Sequence, residues 1–245
     1  MEKLIKRFIE KIQKNKILYL LILIAIIISV GLILNININN ENELLYKINN
    51  EIKKGGHGHI LLSKYILQQN NNDKKSLIEI GSVREDISGQ NSSEHFINLC
   101  KLLDMKFISI DIDKECSDNV LKLCKENNFN NYEIYTMKGE DYLKQIDTFD
   151  YIYLDGYDYD HGNHSKKRQD KYKNILGKEI NNEDSHNSHL EMVKNISHKG
   201  SKNSLICIDD VISDNYGKGV KAVPYLLNDN WKILEKSNNS IIFSN

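Results

Sequence analysis

Acidic residues recur where short β-branched runs end, and their order along the chain limits the chemistry they can do. The first run, SLIEI (76–80), leads into Glu79-Ile80-Gly81-Ser82. The second ends at Asp111-Ile112-Asp113, and the third is followed by Gly139-Glu140-Asp141. The fourth ends in Asp155-Gly156 and the fifth in Asp209-Asp210. A glycine directly after the first strand lets a ligand approach the backbone closely, and an acid ending the second can bridge two ribose hydroxyls. Together they imply a nucleoside-containing cofactor. A full G-x-G-x-x-G is absent, since Gly81 is followed by a polar loop to Gly89, and this disfavours a pyrophosphate-cradling dinucleotide site. A second group lies in the polar insert 157–183, where His161 and His164, then His186 and His189, stand near Asp158 and Asp160. Imidazole and carboxylate suit zinc or iron, but a substrate-contacting lid or an ordinary polar loop fits the same residues. Lys166-Lys167-Arg168 reads as a solvated face or a contact for an acidic ligand. Gly217-Lys218-Gly219 reads as a loop opening the next helix, with an anion site at its N-terminus as the alternative.

The elements that must position these residues alternate. After 76–80 comes a helical pattern near 93–103, then KFISIDI (106–112) and a helix near 115–126. YEIYTM (132–137), a short helix near Asp141 and FDYIYLD (149–155) follow. Beyond the insert lie a helix near 185–196, SLICID (204–209), a helix near 219–227, and the runs WKILEK (231–236) and SIIFS (240–244). Such alternation predicts right-handed βαβ units and an α/β, Rossmann-like, doubly wound, mostly parallel sheet. Only three residues separate the last two runs, too few for a crossover, so they are expected to close the sheet as an antiparallel hairpin.

This order of motifs resembles the class I S-adenosylmethionine-dependent methyltransferases over residues 76–244. The resemblance implies that Glu79, Gly81 and Ser82 form the first cofactor motif, that Asp111 meets the ribose, and that Glu140 and Asp141 belong to the segment facing the adenine. It departs from the family in the first motif, where the second glycine is replaced. Asp155, Asp209 and Asp210 are similar to the acids that hold Mg²⁺ in catechol-type O-methyltransferases, where the metal lowers the pKa of an acceptor hydroxyl. Those enzymes carry a lysine base shortly after the fourth-strand acid. Asp155-Gly156-Tyr157-Asp158 has none, which leaves Asp158 or His161 to take the proton, or the metal to suffice. The resemblance implies methyl transfer to oxygen of a small molecule, with Tyr157 and Tyr159 beside the acceptor; a catalytically silent module of the same fold is the alternative.

The 245 residues, 40% hydrophobic and 27% charged with a single proline, have globular composition and exclude collagen-like or Pro-rich chains. Six of the 33 basic residues fall within the first 16 positions, leaving a net-negative body that argues against a nucleic-acid partner. The four cysteines lack paired spacing and read as free thiols. Residues 17–34 form an uncharged run with 14 Leu, Ile or Val, which predicts a single-pass membrane anchor. The expected organisation is a basic segment (1–16), a transmembrane helix (17–35), a helical linker (36–75) and a methyltransferase-like domain (76–245).

Overall fold

The computed structural model describes residues 2–69, 75–82 and 91–245, without the side chains of residues 2, 8–9, 11–19, 33–37 and 39–40. The chain forms two compact units, 1–47 and 48–245. The first lies within one helix, α1 (Glu2–Lys54). Its described apolar side chains, among them Leu4, Ile5, those from Leu20 to Leu32, Ile38 and Leu45, stand exposed. Among the described residues no helix is long and apolar enough to cross a membrane. The expected anchor over 17–35, the membrane as a partner and a membrane location are corrected accordingly.

In the second unit, Gly55 and Gly56 take positive φ (67° and 139°) and end α1 after Lys54, because only glycine enters this region at little cost. Helix α2 (Gly58–Gln68) follows, then β1 (Ser76–Ile80), α3 (Ser92–Leu102), β2 (Lys106–Asp111) and α4 (Lys114–Glu126). Next come β3 (Tyr132–Thr136), α5 (Gly139–Gln145), β4 (Phe149–Leu154), α6 (Lys166–Leu176), α7 (Asn182–Ile196) and β5 (Gly200–Asp209). A two-stranded ribbon of β6 (Val211–Ser213) and β7 (Tyr216–Gly217) leads through a 3₁₀ turn (Lys218–Val220) to α8 (Ala222–Asn228). Strands β8 (Lys232–Lys236) and β9 (Ser240–Ser244) complete the chain.

The sheet has seven strands in the order β3-β2-β1-β4-β5-β9-β8. The first five are parallel, while β9 pairs antiparallel with both β5 and β8. The expected closing hairpin is therefore present. Side chains alternate across the strands and divide the core in two. Ile78, Ile80, Ile110, Leu154, Ile206 and Ile208 pack with Leu143 of α5, Met192, Val193 and Ile196 of α7, and Leu226 of α8. On the opposite face, Leu77, Phe107, Tyr153 and Cys207 are buried on the side of α2, α3 and α4. A fully buried Phe or Leu stabilises by roughly 1.5–3 kcal/mol, so α2, with Leu61, Leu62 and Ile66 buried, is bound to the sheet as firmly as the later helices. All four cysteines are buried free thiols.

Candidate active site

The carboxyl ends of the parallel strands are laced together by main-chain hydrogen bonds. Gly81 donates its N–H to the Ile110 carbonyl (2.9 Å), Asp155 to Ile80 (2.8 Å) and Met137 to Asp111 (2.9 Å). Gly81 lies at φ 86°, and a Cβ there would run into the Asp155 carbonyl. Gly139 sits against Ile80 with equally little room. These close approaches leave a cavity of about 360 Å³ over the strand ends, lined by Gly81, Asp111, Met137, Glu140, Gly156 and Tyr157 and walled by α7. This is where an open parallel sheet holds its ligands. A second, smaller cavity of about 30 Å³ shares Gly81, Asp111 and Gly156 with it and extends to Ser82, Asp155, Arg168, Lys171 and Tyr172.

Of the residues expected to hold a cofactor, Gly81, Asp111 and Glu140 border the larger cavity, and Ser82 the smaller. Asp111 Oδ2 accepts the Ser82 amide (2.9 Å) and hydroxyl (3.0 Å), while Oδ1 accepts the Asp113 amide (2.8 Å). Its carboxylate is thus oriented before any ligand arrives. Glu140 accepts a hydrogen bond from the Ser188 hydroxyl (2.7 Å), which ties α5 to α7. Asp141 is exposed and does not line the cavity. Glu79 lies on the far face of β1, fully buried, where its carboxyl oxygens accept from Ser92 (2.7 Å), Ser93 (2.8 Å) and Ser109 (3.1 Å). Burial outweighs those three donors and pushes Glu79 up to about 8. Glu79 therefore organises the strand-to-helix connection from beneath. The remainder of the polar loop, 83–90, lies outside the described residues.

The acids expected to hold Mg²⁺ do not converge. Consecutive residues of a strand face opposite sides, and Asp209 turns away from the site: its carboxylate accepts the Tyr153 hydroxyl (2.5 Å) and the Gly58 amide (3.1 Å). Asp210, in the left-handed region at φ 52°, points toward Asp155, and the ammonium of Lys218 stands between them. Lys218 is fully buried, ion-paired to Asp155 and 3.0 Å from Asp210 Oδ2. Burial works against its charge, but the carboxylates of Asp155, Asp210 and Asp158 outweigh burial and raise its pKa. Among the described residues no group of three or more His, Cys, Asp or Glu could hold a metal ion. The three-acid Mg²⁺ site and the zinc or iron site of the histidines are both corrected.

The two residues expected to act as base are also placed elsewhere. Asp158 is 3% exposed and forms an ion pair with Arg168 (2.7 Å), and its amide donates to the Tyr172 hydroxyl (2.8 Å). His161 is exposed and stacks on His164 with ring centroids 4.3 Å apart. Neither lines either cavity. Tyr157 borders the larger cavity, whereas Tyr159 packs edge-on against Tyr216 (4.9 Å).

Two residues at the site, Lys171 and Tyr172, were not anticipated as functional, and Lys218 was read only as part of a loop or an anion site. Lys171 and Tyr172 belong to α6, a helix inside the polar insert. Its N-cap Ser165, whose hydroxyl accepts from the Arg168 amide, and its left-handed terminal Gly177 are recognisable helix signals. Lys218 is returned to Asp210 by the β6–β7 ribbon, where Val211 pairs with Gly217 and Lys218 N–H donates to the Asp210 carbonyl (2.9 Å). A Gly at 217, at φ 110° and with no room for a Cβ beside Asp210, is the local signal of that return.

No protein-family model matches the chain, and no curated protein matches it in sequence. Solved structures match its fold. The O-methyltransferase NovP is 11% identical over 81% of this chain and 78% of its own, with a TM-score of 0.50. SMU.1697c of Streptococcus mutans, in complex with SAH, is 12% identical over 76% and 96%, with a TM-score of 0.47. A precorrin-6y C5,15-methyltransferase from Geobacter metallireducens is 11% identical over 76% and 85%, also at 0.47. At these identities the likeness is one of fold alone.

Proposed function

We propose that the protein transfers a methyl group from S-adenosylmethionine to an oxygen of a small molecule. The carrying observation is the cavity at the carboxyl ends of β1 to β4, where Gly81, Asp111 and Glu140 meet. The residues fit the cofactor: Gly81 keeps the floor of the cavity free of a Cβ, Asp111 is a pre-oriented acceptor pair for ribose hydroxyls, and Glu140 lines the wall beyond it. S-adenosylmethionine, when bound, supplies an electrophilic methyl carbon whose bond to sulfur breaks as the bond to the acceptor oxygen forms, with SAH as the second product.

The protein's contribution is chiefly positioning. Asp155 borders the smaller cavity, and its carboxylate orients the acceptor hydroxyl and takes the proton that the new C–O bond displaces. Helix α6 covers this edge with Arg168, Lys171 and Tyr172 and leaves little free volume there, which favours a small acceptor over a polymer. This reading assigns Asp155 as base and needs neither Asp158 nor His161.

Calorimetric titration of S-adenosylmethionine and SAH into the full chain tests it. Dissociation constants near micromolar are expected for the wild type, weakened at least roughly tenfold in Asp111→Ala through loss of hydrogen bonds to a charged group. A folded protein giving neither heat nor a Tm shift with either ligand would overturn the enzyme reading and leave a silent module of methyltransferase shape.

A further inference from the structure

The fold places a lysine where the resemblance to catechol-type enzymes places a divalent cation. Three observations bear on this. The Lys218 side chain has no exposed surface, although long ammonium side chains ordinarily keep their heads in water. Its Nζ contacts acids from two different strand ends, Asp155 after β4 and Asp210 after β5. The third acid of the expected set, Asp209, is engaged on the other face of the sheet with Tyr153 and Gly58.

The local backbone is built to deliver this lysine. The ribbon after β5 reverses the chain within eight residues, with Asp210 and Gly217 both at positive φ where they meet. The Gly217 position would not admit a Cβ without collision with the Asp210 carbonyl. The 3₁₀ turn that follows packs on α7 and α8, which locks the root of the lysine.

We propose that Lys218 is a resident cation, a positioning residue that holds Asp155 and Asp210 together in place of a divalent metal, so that this site is assembled without one. Two consequences distinguish this from a merely structural ion pair. The wild-type site has no vacancy for a divalent ion. Removing the ammonium while keeping the aliphatic stem, as in Lys218→Met, leaves two carboxylates facing one another, a hard-oxygen pair suited to Mn²⁺ or Mg²⁺.

Mn²⁺ binding to the full-length protein, followed by electron paramagnetic resonance, tests the inference directly. It reads the carboxylates themselves, so a protein that fails to bind S-adenosylmethionine still answers it. Expected are no stoichiometric Mn²⁺ binding by the wild type at micromolar to low millimolar metal and a Tm unchanged by Mn²⁺ or EDTA. Lys218→Met is expected to lower Tm by several degrees, since it leaves two partly exposed carboxylates without their cation, and to recover much of that loss with Mn²⁺ while binding about one ion. Lys218→Arg keeps the charge and should bind no Mn²⁺.

Stoichiometric Mn²⁺ on the wild type, abolished by Asp155→Asn, would overturn the inference, and that comparison stands even if Lys218→Met does not fold. A folded Lys218→Met that binds no Mn²⁺ would equally overturn the claim that the ammonium occupies a cation position.

Discussion

Gly81 is narrowly constrained by the backbone. Its positive φ and the Asp155 carbonyl beside it both resist a side chain, and a non-glycine residue held there costs about 1–3 kcal/mol. Gly81→Ala should therefore lower Tm by several degrees and weaken SAH binding together, a coupling that thermal shift with and without ligand would show. Asp155→Asn should leave SAH affinity within a few-fold of wild type and lower kcat by roughly 10²-fold or more, the usual contribution of a positioned base. Equal losses in binding and turnover would place Asp155 with the cofactor instead.

Three buried groups make stability depend on pH. Burial pushes His59 and His189 down to about 3, and pushes Glu79 up to about 8. Each histidine is neutral in the folded state, so below its ordinary value of 6.5 the unfolded chain binds more protons and stability falls with falling pH. Glu79 is protonated when folded, so between its ordinary 4.5 and about 8 the folded state holds the extra proton and stability falls as pH rises. Two histidines outweigh one glutamate below pH 6.5, and these groups together put the maximum near that value. Glu79→Gln should remove the decline on the alkaline side, giving a higher Tm than wild type at pH 8 and a plateau above pH 6.5.

Helix α6 is the element that distinguishes this carboxyl edge. Its hold on the domain is charged: Arg168 meets Asp158, and Lys171 meets Asp113 and Glu115. The first pair is nearly buried, and removing one partner of such a pair costs about 3–5 kcal/mol because the other charge is stranded. Arg168→Met should loosen α6 before the sheet, with faster amide exchange and proteolysis within 157–183 and little change in β1 to β5. The insert was legible as polar and His-rich, with a lid among its readings. Its helix was not anticipated, because its apolar residues are few, with Tyr172 alone buried, and its partners are charges spread from Asp113 to Asp158. Pairings over such separations leave no local period in the chain.

For the molecule as a whole, the contacts that stabilise the sheet lie within 48–245. A fragment of residues 41–245 should therefore keep the Tm and the SAH affinity of the full chain, which differential scanning calorimetry and titration would check. A membrane span over 17–35 was the natural reading of a long uncharged run, but hydropathy alone does not establish a spanning helix. Among the described residues no helix is long and apolar enough to cross a membrane.

What the sequence by itself determined is the order of the seven strands of the main sheet and of the helices between them, α6 excepted. β1 and β9 begin and end where the β-branched runs do, and the closing hairpin followed from a three-residue connection. Gly81, Asp111 and Glu140 were readable for the same reason: a residue at the end of a parallel strand faces the ligand edge in any such sheet. Only the tertiary structure decided which strand-end acids face the same point. Asp209 and Asp210 are adjacent in the chain and diverge in space, while Lys218, eight residues beyond Asp210, fills the gap between Asp210 and Asp155. Side-chain direction at a strand end depends on one or two backbone torsions, and charge partners depend on which loops return to the same edge. Neither is recorded in composition, periodicity or spacing.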